Sequence, residues 1–164
     1  MIIRSLGVND GGAATAVINT AAAWYQEFLP PSELHKPEMT PASWAEEGRR
    51  MTWYGAFDGV DLVGVIGLEY AGDAALLRHA YVLPERQRRG IAAMLVNHLE
   101  GEIDGVDTII VGTYAANYKA RAAFEKAGYQ LSRDSEAVLR RYYNIPEDRL
   151  QSSVTYEKRL DRER

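Results

Sequence analysis

The run Gln87-Arg88-Arg89-Gly90-Ile91-Ala92 carries the densest chemical signal in this chain. It lies between an apolar stretch at 76–82 and a segment in which Ile91, Met94, Leu95, His98 and Leu99 recur at helical spacing. A strand that enters a helix through such a loop points several backbone N–H groups at one place, because the first helical turn has no internal acceptors for them. The helix dipole adds partial positive charge at the same end. Gly90 and Ala92 keep side chains small where an oxygen must approach the backbone, and Arg88 and Arg89 add charge beside it. A pyrophosphate suits this geometry.

The elements that must position this loop follow from periodicity and turn chemistry. Residues 2–6 read as an opening strand. Val17, Ala21, Trp24, Tyr25 and Phe28 recur at helical spacing and predict a long first helix, stopped by Pro30-Pro31. A loop through Pro37 and Pro41 leads to a short helix at 42–49. Residues 52–57 and 62–69 predict a hairpin turning at Asp58-Gly59, and 76–82 a third long strand ended by Pro84. After the helix from Ile91, residues 108–113 read as a buried strand. Asn117 is placed to cap a helix carrying a stripe of Ala120, Ala123, Phe124 and Ala127, which Gly128 closes in a left-handed conformation. A short strand near 130–132, a helix at 135–142 and a last strand alternating around Val154 and Tyr156 complete the order. No repeat or linker interrupts it, so residues 1–164 are expected to form a single α/β domain (α+β type) around a mixed sheet.

Composition narrows the function. A net charge of −4 argues against nucleic acid as a partner, since a phosphate backbone calls for a basic face, so the arginines near position 88 form a local patch on an acidic body. The chain has 0 cysteines, which excludes disulfides, thiolate metal sites and a cysteine nucleophile. The start, Met1-Ile2-Ile3-Arg4, does not read as a signal peptide, and no stretch approaches the ~18 apolar residues of a membrane span. A cytoplasmic protein without membrane contact is expected. His35 has no partner at metal-ligand spacing, so no metal site is expected. The patterns of nucleotide hydrolases, dinucleotide dehydrogenases and serine hydrolases are absent.

Three features resemble the GNAT superfamily of acyl-CoA N-acyltransferases. Tyr81-Val82-Leu83-Pro84 followed by Gln87–Ala92 is similar to the family's Q/R-x-x-G-x-G/A loop. Asn117 with Ala120, Phe124, Gly128 and Tyr129 is similar to its N-x-x-A helix ending in G-(F/Y). One helix and one buried strand separate the two, as in the family. The resemblance runs from the first strand to the last and implies a mostly antiparallel, twisted sheet flanked by helices. It implies acetyl-CoA as cosubstrate and no metal, with the pyrophosphate on Gln87, Arg88, Arg89, Gly90, Ile91 and Ala92. Pantetheine would pair with exposed strand backbone near Tyr81, Val82 and Leu83, and Asn117, Ala120 and Phe124 would border it. A homodimer is among the states that the resemblance allows.

In the family's usual mechanism an amine attacks the thioester directly. An alkyl amine of pKa about 10.4 is neutral only to about one part in a thousand at pH 7, so a base is needed. A backbone N–H near Val82 would serve as the oxyanion donor. His79 is a candidate base, titrating near neutrality in the strand where several family members carry theirs; strand parity sets it opposite Ala80 and Val82, and packing is its structural alternative. Glu69, ending the preceding strand, is a rival acting through water, with an exposed strand-end carboxylate as its alternative. Many members place an acid tyrosine where this chain has Phe124; Tyr142, Tyr143 and Tyr114 are the substitutes weighed, with Tyr142 the acid candidate retained. Trp44, Trp53 and Tyr54 read equally as cleft lining or core. The leading function is acetyl transfer to the primary amine of a small molecule or amino acid derivative. A non-catalytic acyl-CoA sensor and a protein or peptide N-acetyltransferase are the alternatives.

Overall fold

In the computed structural model, which describes residues 1–161, seven strands form one mixed sheet of order β1-β2-β3-β4-β5-β7-β6. The chain divides into two compact units, Met1–Glu69 with Arg78–Glu102, and Tyr70–Leu77 with the residues from Ile103 onward. The strand β4 (Ala74–Val82) passes from the second unit into the first.

In the first unit, β1 (Ile2–Ser5) pairs antiparallel with β2 (Met51–Asp58), and β2 with β3 (Asp61–Ala71). The hairpin turns where expected, with Gly59 at φ +63. Helix α1 (Gly11–Ala22) is shorter than its apolar spacing predicts: the chain tightens into a 3-10 turn over Ala23–Glu27. In that turn residues three apart eclipse. Phe28 meets Tyr25 edge-on at 5.9 Å and Trp24 at 5.7 Å, and Pro30 follows. The aromatics that mimic helical periodicity thus pack on one another in a tighter coil.

Helix α2 (Pro41–Glu47) starts on a reciprocal cap, Thr40 Oγ1 accepting from Ser43 N at 3.1 Å, with Pro41 at the first position. Trp44 stacks on Trp53 of β2 at 5.5 Å, and Trp53 Nε1 donates to the Trp44 carbonyl at 3.3 Å. These rings join Ala14, Val17, Ile18, Met39, Met51, Leu62 and Val65 in one core cluster. Trp44, Trp53 and Tyr54 are all buried, so they are core. Helix α3 (Ile91–Glu102) buries Ile91, Leu95, Val96 and Leu99. Met94, expected on that stripe, is 38% exposed, and His98 stands edge-on to Tyr54 at 5.1 Å. Gly64 permits the close approach of α3 to β3, since a Cβ there would lie 3.0 Å from Leu95 Cδ1.

In the second unit, β5 (Thr108–Tyr114) runs parallel to β4 over the rungs Ala74↔Thr108 to Leu77↔Val111. The strand β7 (Ser153–Arg159) lies between β5 and the two-residue β6 (Gln130–Leu131), antiparallel to both. A central strand is covered on both faces, so Thr155 and Tyr156 are both 0% exposed and the expected alternation is lost. Helix α4 (Tyr118–Lys126) ends at Gly128, φ +94, as its sequence predicts. Its stripe is narrower than expected: Phe124 is buried while Ala123 faces solvent. Helix α5 (Ser135–Tyr142) is followed by a short helix α6 (Glu147–Leu150) that periodicity does not signal. Among the described residues no helix is long and apolar enough to cross a membrane. No group of three metal-ligating side chains gathers there either.

Candidate active site

The loop into α3 begins at a 3-10 turn, Pro84–Arg86. Arg86 is ion-paired with Asp58 of the β2–β3 hairpin, which raises its pKa and holds the Asp58 carboxyl below the usual range. Arg86 therefore braces the loop. Gln87 Nε2 donates to the Val82 carbonyl at 3.2 Å, and Leu83 N donates to the Val63 carbonyl at 2.9 Å. These two backbone groups, expected to lie open to pantetheine, are already engaged within the chain.

Arg88 and Gly90 both take left-handed conformations, φ +65 and +77. Alternation of left-handed residues turns successive N–H groups toward a common concavity that suits an anion. The Gly90 carbonyl accepts from Met94 N at 3.0 Å, so α3 starts directly after it and its first-turn amides point back at the loop. A Cβ built on Gly90 would meet no atom within 4 Å, so space lies open beside that backbone. Arg88 and Arg89 are exposed next to it, and the residues fit a diphosphate.

The two candidate bases lie in one ionic cluster. Glu69 Oε1 is 2.8 Å from Arg78 Nη1 and its Oε2 is 3.6 Å from Arg50 Nε. Arg78 also reaches Glu47 Oε1 at 3.2 Å, and His79 Nε2 lies 3.0 Å from that same oxygen. Neighbours in a regular strand face opposite ways. Arg78 and His79 both reach Glu47 because His79 sits at φ +54, which interrupts the pleat. The imidazole stacks on Trp53 at 5.4 Å, and Tyr81 packs on the same cluster of core residues. Burial pushes the Glu47 carboxyl up, but the His79 hydrogen bond with the His79, Arg78 and Arg50 charges outweighs it and holds the pKa below its ordinary value. Among the described residues, Glu47 Oε2 is buried without a hydrogen-bond partner. Above this cluster the Tyr25 and Tyr81 hydroxyls meet at 3.0 Å.

In the second unit, Asn117 caps α4, its Oδ1 accepting from Ala120 N at 3.3 Å and its Nδ2 donating to Thr113 Oγ1 at 3.4 Å. Phe124 is a core ring, edge-on to Tyr129 at 5.7 Å. The Tyr142 hydroxyl donates to Asp73 Oδ1 at 2.6 Å, and that bond, with burial, raises its pKa. Its proton is committed to Asp73.

Sequence reasoning missed Glu47, Arg50 and Arg78. Glu47 carried a readable signal, since it lies three residues after Trp44 and thus beside it on the inner face of α2. Arg78 carried none, because the irregularity at His79 leaves no mark in the residue types.

A family model described as the acetyltransferase (GNAT) family matches residues 15–129. A [ribosomal protein bS18]-alanine N-acetyltransferase of Salmonella typhimurium is 38% identical over 73 residues, 43% of this chain and 46% of that protein. The match thus spans less than half of that relative's length. Three solved structures share the fold at low identity. The PaiA N-acetyltransferase from Thermoplasma acidophilum in complex with coenzyme A has a TM-score of 0.72 at 18% identity, covering 97% of this chain and 98% of that one. The ribosomal-protein-S18-alanine N-acetyltransferase from Escherichia coli has a TM-score of 0.70 at 20% identity, covering 99% and 95%. A GNAT-family acetyltransferase from Staphylococcus aureus Mu50 has a TM-score of 0.76 at 14% identity, covering 98% and 99%.

Proposed function

The chain belongs to the acetyltransferase (GNAT) family, and on that premise we propose that it transfers an acetyl group from acetyl-CoA to the primary amine of a small molecule or amino acid derivative. The observation that carries this reading is the pair of left-handed residues, Arg88 and Gly90, opening α3. Gln87, Arg88, Arg89, Gly90, Ile91 and Ala92 would hold the diphosphate through backbone N–H groups and two guanidiniums. The β4 backbone near Tyr81 would take the pantetheine arm as an added strand. We propose that the whole chain acts as one catalytic domain in the cytoplasm.

When bound, acetyl-CoA supplies an acetyl group activated as a thioester. The chain's own task is to orient the acceptor and remove its proton. His79 is the proposed base, because Glu69 is held by two arginines while a neutral imidazole keeps one ring nitrogen free to accept a proton. No acid is assigned: Phe124 has no proton to give, and the CoA thiol, with a pKa about that of free cysteine, 8.5, leaves readily as thiolate.

The match to an alanine N-acetyltransferase of a ribosomal protein favours a second acceptor class, the amino terminus of a protein. Because the chain has 0 cysteines, any thiol detected in a mixture of protein, acetyl-CoA and amine is released CoA. Release that depends on a free amine supports the first acceptor class; release with peptides alone supports the second. Tight acetyl-CoA binding without release across both panels leaves a sensor in place of an enzyme.

A further inference from the structure

We propose that Glu47 is a positioning residue for His79, holding the imidazole in the Nε2–H tautomer so that the Nδ1 lone pair takes the acceptor's proton. This rests on the acetyltransferase reading above and names the device that would make His79 a directed base.

The tautomer follows from elementary chemistry. An ionised carboxylate accepts and does not donate, so the contact of 3.0 Å between Glu47 Oε1 and His79 Nε2 requires the proton on Nε2. A neutral imidazole then has its lone pair on Nδ1, and that nitrogen has no hydrogen-bond partner among the described residues. The ring plane is fixed as well as its protonation. Trp53 stacks on it at 5.4 Å, Trp44 stacks on Trp53 at 5.5 Å, and Trp44 belongs to the helix that ends in Glu47.

Two irregularities converge on this one pair. His79 is a non-glycine residue at φ +54, in a region that costs conformational energy. Glu47 keeps Oε2 buried without a partner while Oε1 serves His79 and Arg78 together. Strain of both kinds concentrates at functional sites, where the surrounding structure imposes it. Glu47 from α2 contacts His79 directly, Arg50 and Arg78 pair with Glu47, and Glu69 from β3 pairs with both arginines. Two carboxylates and two guanidiniums balance in formal charge around the imidazole. In the transfer, the amine nitrogen bonds to the acyl carbon and its proton passes to Nδ1. The carbon–sulfur electron pair leaves with the CoA thiolate, and Glu47 stabilises the imidazolium that forms.

The test uses the full chain, acetyl-CoA and whichever amine supports CoA release. In Glu47→Gln, kcat is expected to fall about 10- to 100-fold with an unchanged KM for acetyl-CoA. His79→Ala and the double variant are expected to share one loss, because the residues act as a unit. Long-range proton–nitrogen spectra of the unmutated protein are expected to show the His79 proton on Nε2, a readout that depends on no variant folding. A proton on Nδ1, full kcat in Glu47→Gln, or losses that multiply in the double variant would overturn the proposal. An inactive wild type that binds no acetyl-CoA overturns the acetyltransferase reading itself, whereas an active one with the opposite tautomer overturns this inference alone.

Discussion

The guanidinium of Arg78 lies 2.8 Å from Oε1 of Glu69, so the carboxylate that rivals His79 as a base is already neutralised in a half-buried pair. Arg50 adds a second positive charge at 3.6 Å. A carboxylate so held has its oxygens engaged by two guanidiniums within the chain. Glu69→Gln is expected to keep amine-dependent CoA release within about threefold, against a loss of about 100-fold or more in His79→Ala. Steady-state thiol release from the two variants makes the comparison, and a larger loss in Glu69→Gln would move the base to Glu69.

Gly90 and Arg88 separate conformational from electrostatic roles in the loop. Gly90→Ala meets no steric obstacle but must hold φ +77, at about 1–2 kcal/mol. It should lower Tm by about 2–4 °C per kcal/mol and weaken acetyl-CoA binding. Arg88→Gly relieves the same kind of strain at φ +65 while removing a charge. It should hold Tm above that of Arg88→Ala, with acetyl-CoA binding weaker than wild type in both. Calorimetric titration and thermal unfolding on the same samples check both statements.

Tyr142 donates to Asp73 at 2.6 Å, and the bond raises the phenol pKa and lowers that of Asp73. A phenol tied in this way in the second unit is not expected to supply the proton for a leaving thiolate. Tyr142→Phe should retain CoA release within about twofold, because a neighbouring surface bond is the only one that it loses. A drop beyond tenfold at unchanged Tm would restore Tyr142 as the acid.

Glu47 links the cluster to stability at low pH. Burial opposes its ionisation, yet the His79 hydrogen bond and the His79, Arg78 and Arg50 charges leave its folded pKa below the ordinary 4.5. A carboxyl depressed on folding contributes stability that is present above the unfolded value and is lost as pH falls through the folded one. Asp10, held by Arg4 and the Gly7 amide, acts in the same sense. Tm is therefore expected to drop progressively as pH falls below about 4.5, with a shallower decline in Glu47→Gln. Thermal scans across that range measure both slopes.

Much of the fold was legible because its signals are local. The hairpin at Asp58-Gly59 and the closure of α4 at Gly128 rest on one glycine each, which adopts a positive φ without penalty. Helix α5 was legible over its full span, with Asp134 at its N-terminus accepting from Ala137 N. Elements failed to read where neighbours override the pattern. Aromatics beyond α1 continue a helical spacing into a 3-10 turn, and cover on both faces of β7 buries Thr155 alongside Tyr156. At the site, the loop that opens α3 at Gly90 was legible and the partner of His79 was not.

Residue types alone determined where most strands and helices and the Gly90 loop fall, because hydrophobic period, caps and turn residues act over a few positions. Tertiary structure alone decided that Arg78 and His79 face one carboxylate. That outcome depends on the sign of a single backbone angle at His79 and on Trp44 and Trp53 seating α2 against the sheet. Contacts between residues such as Glu47 and His79, 32 positions apart, are set by packing and leave no periodic trace along the chain.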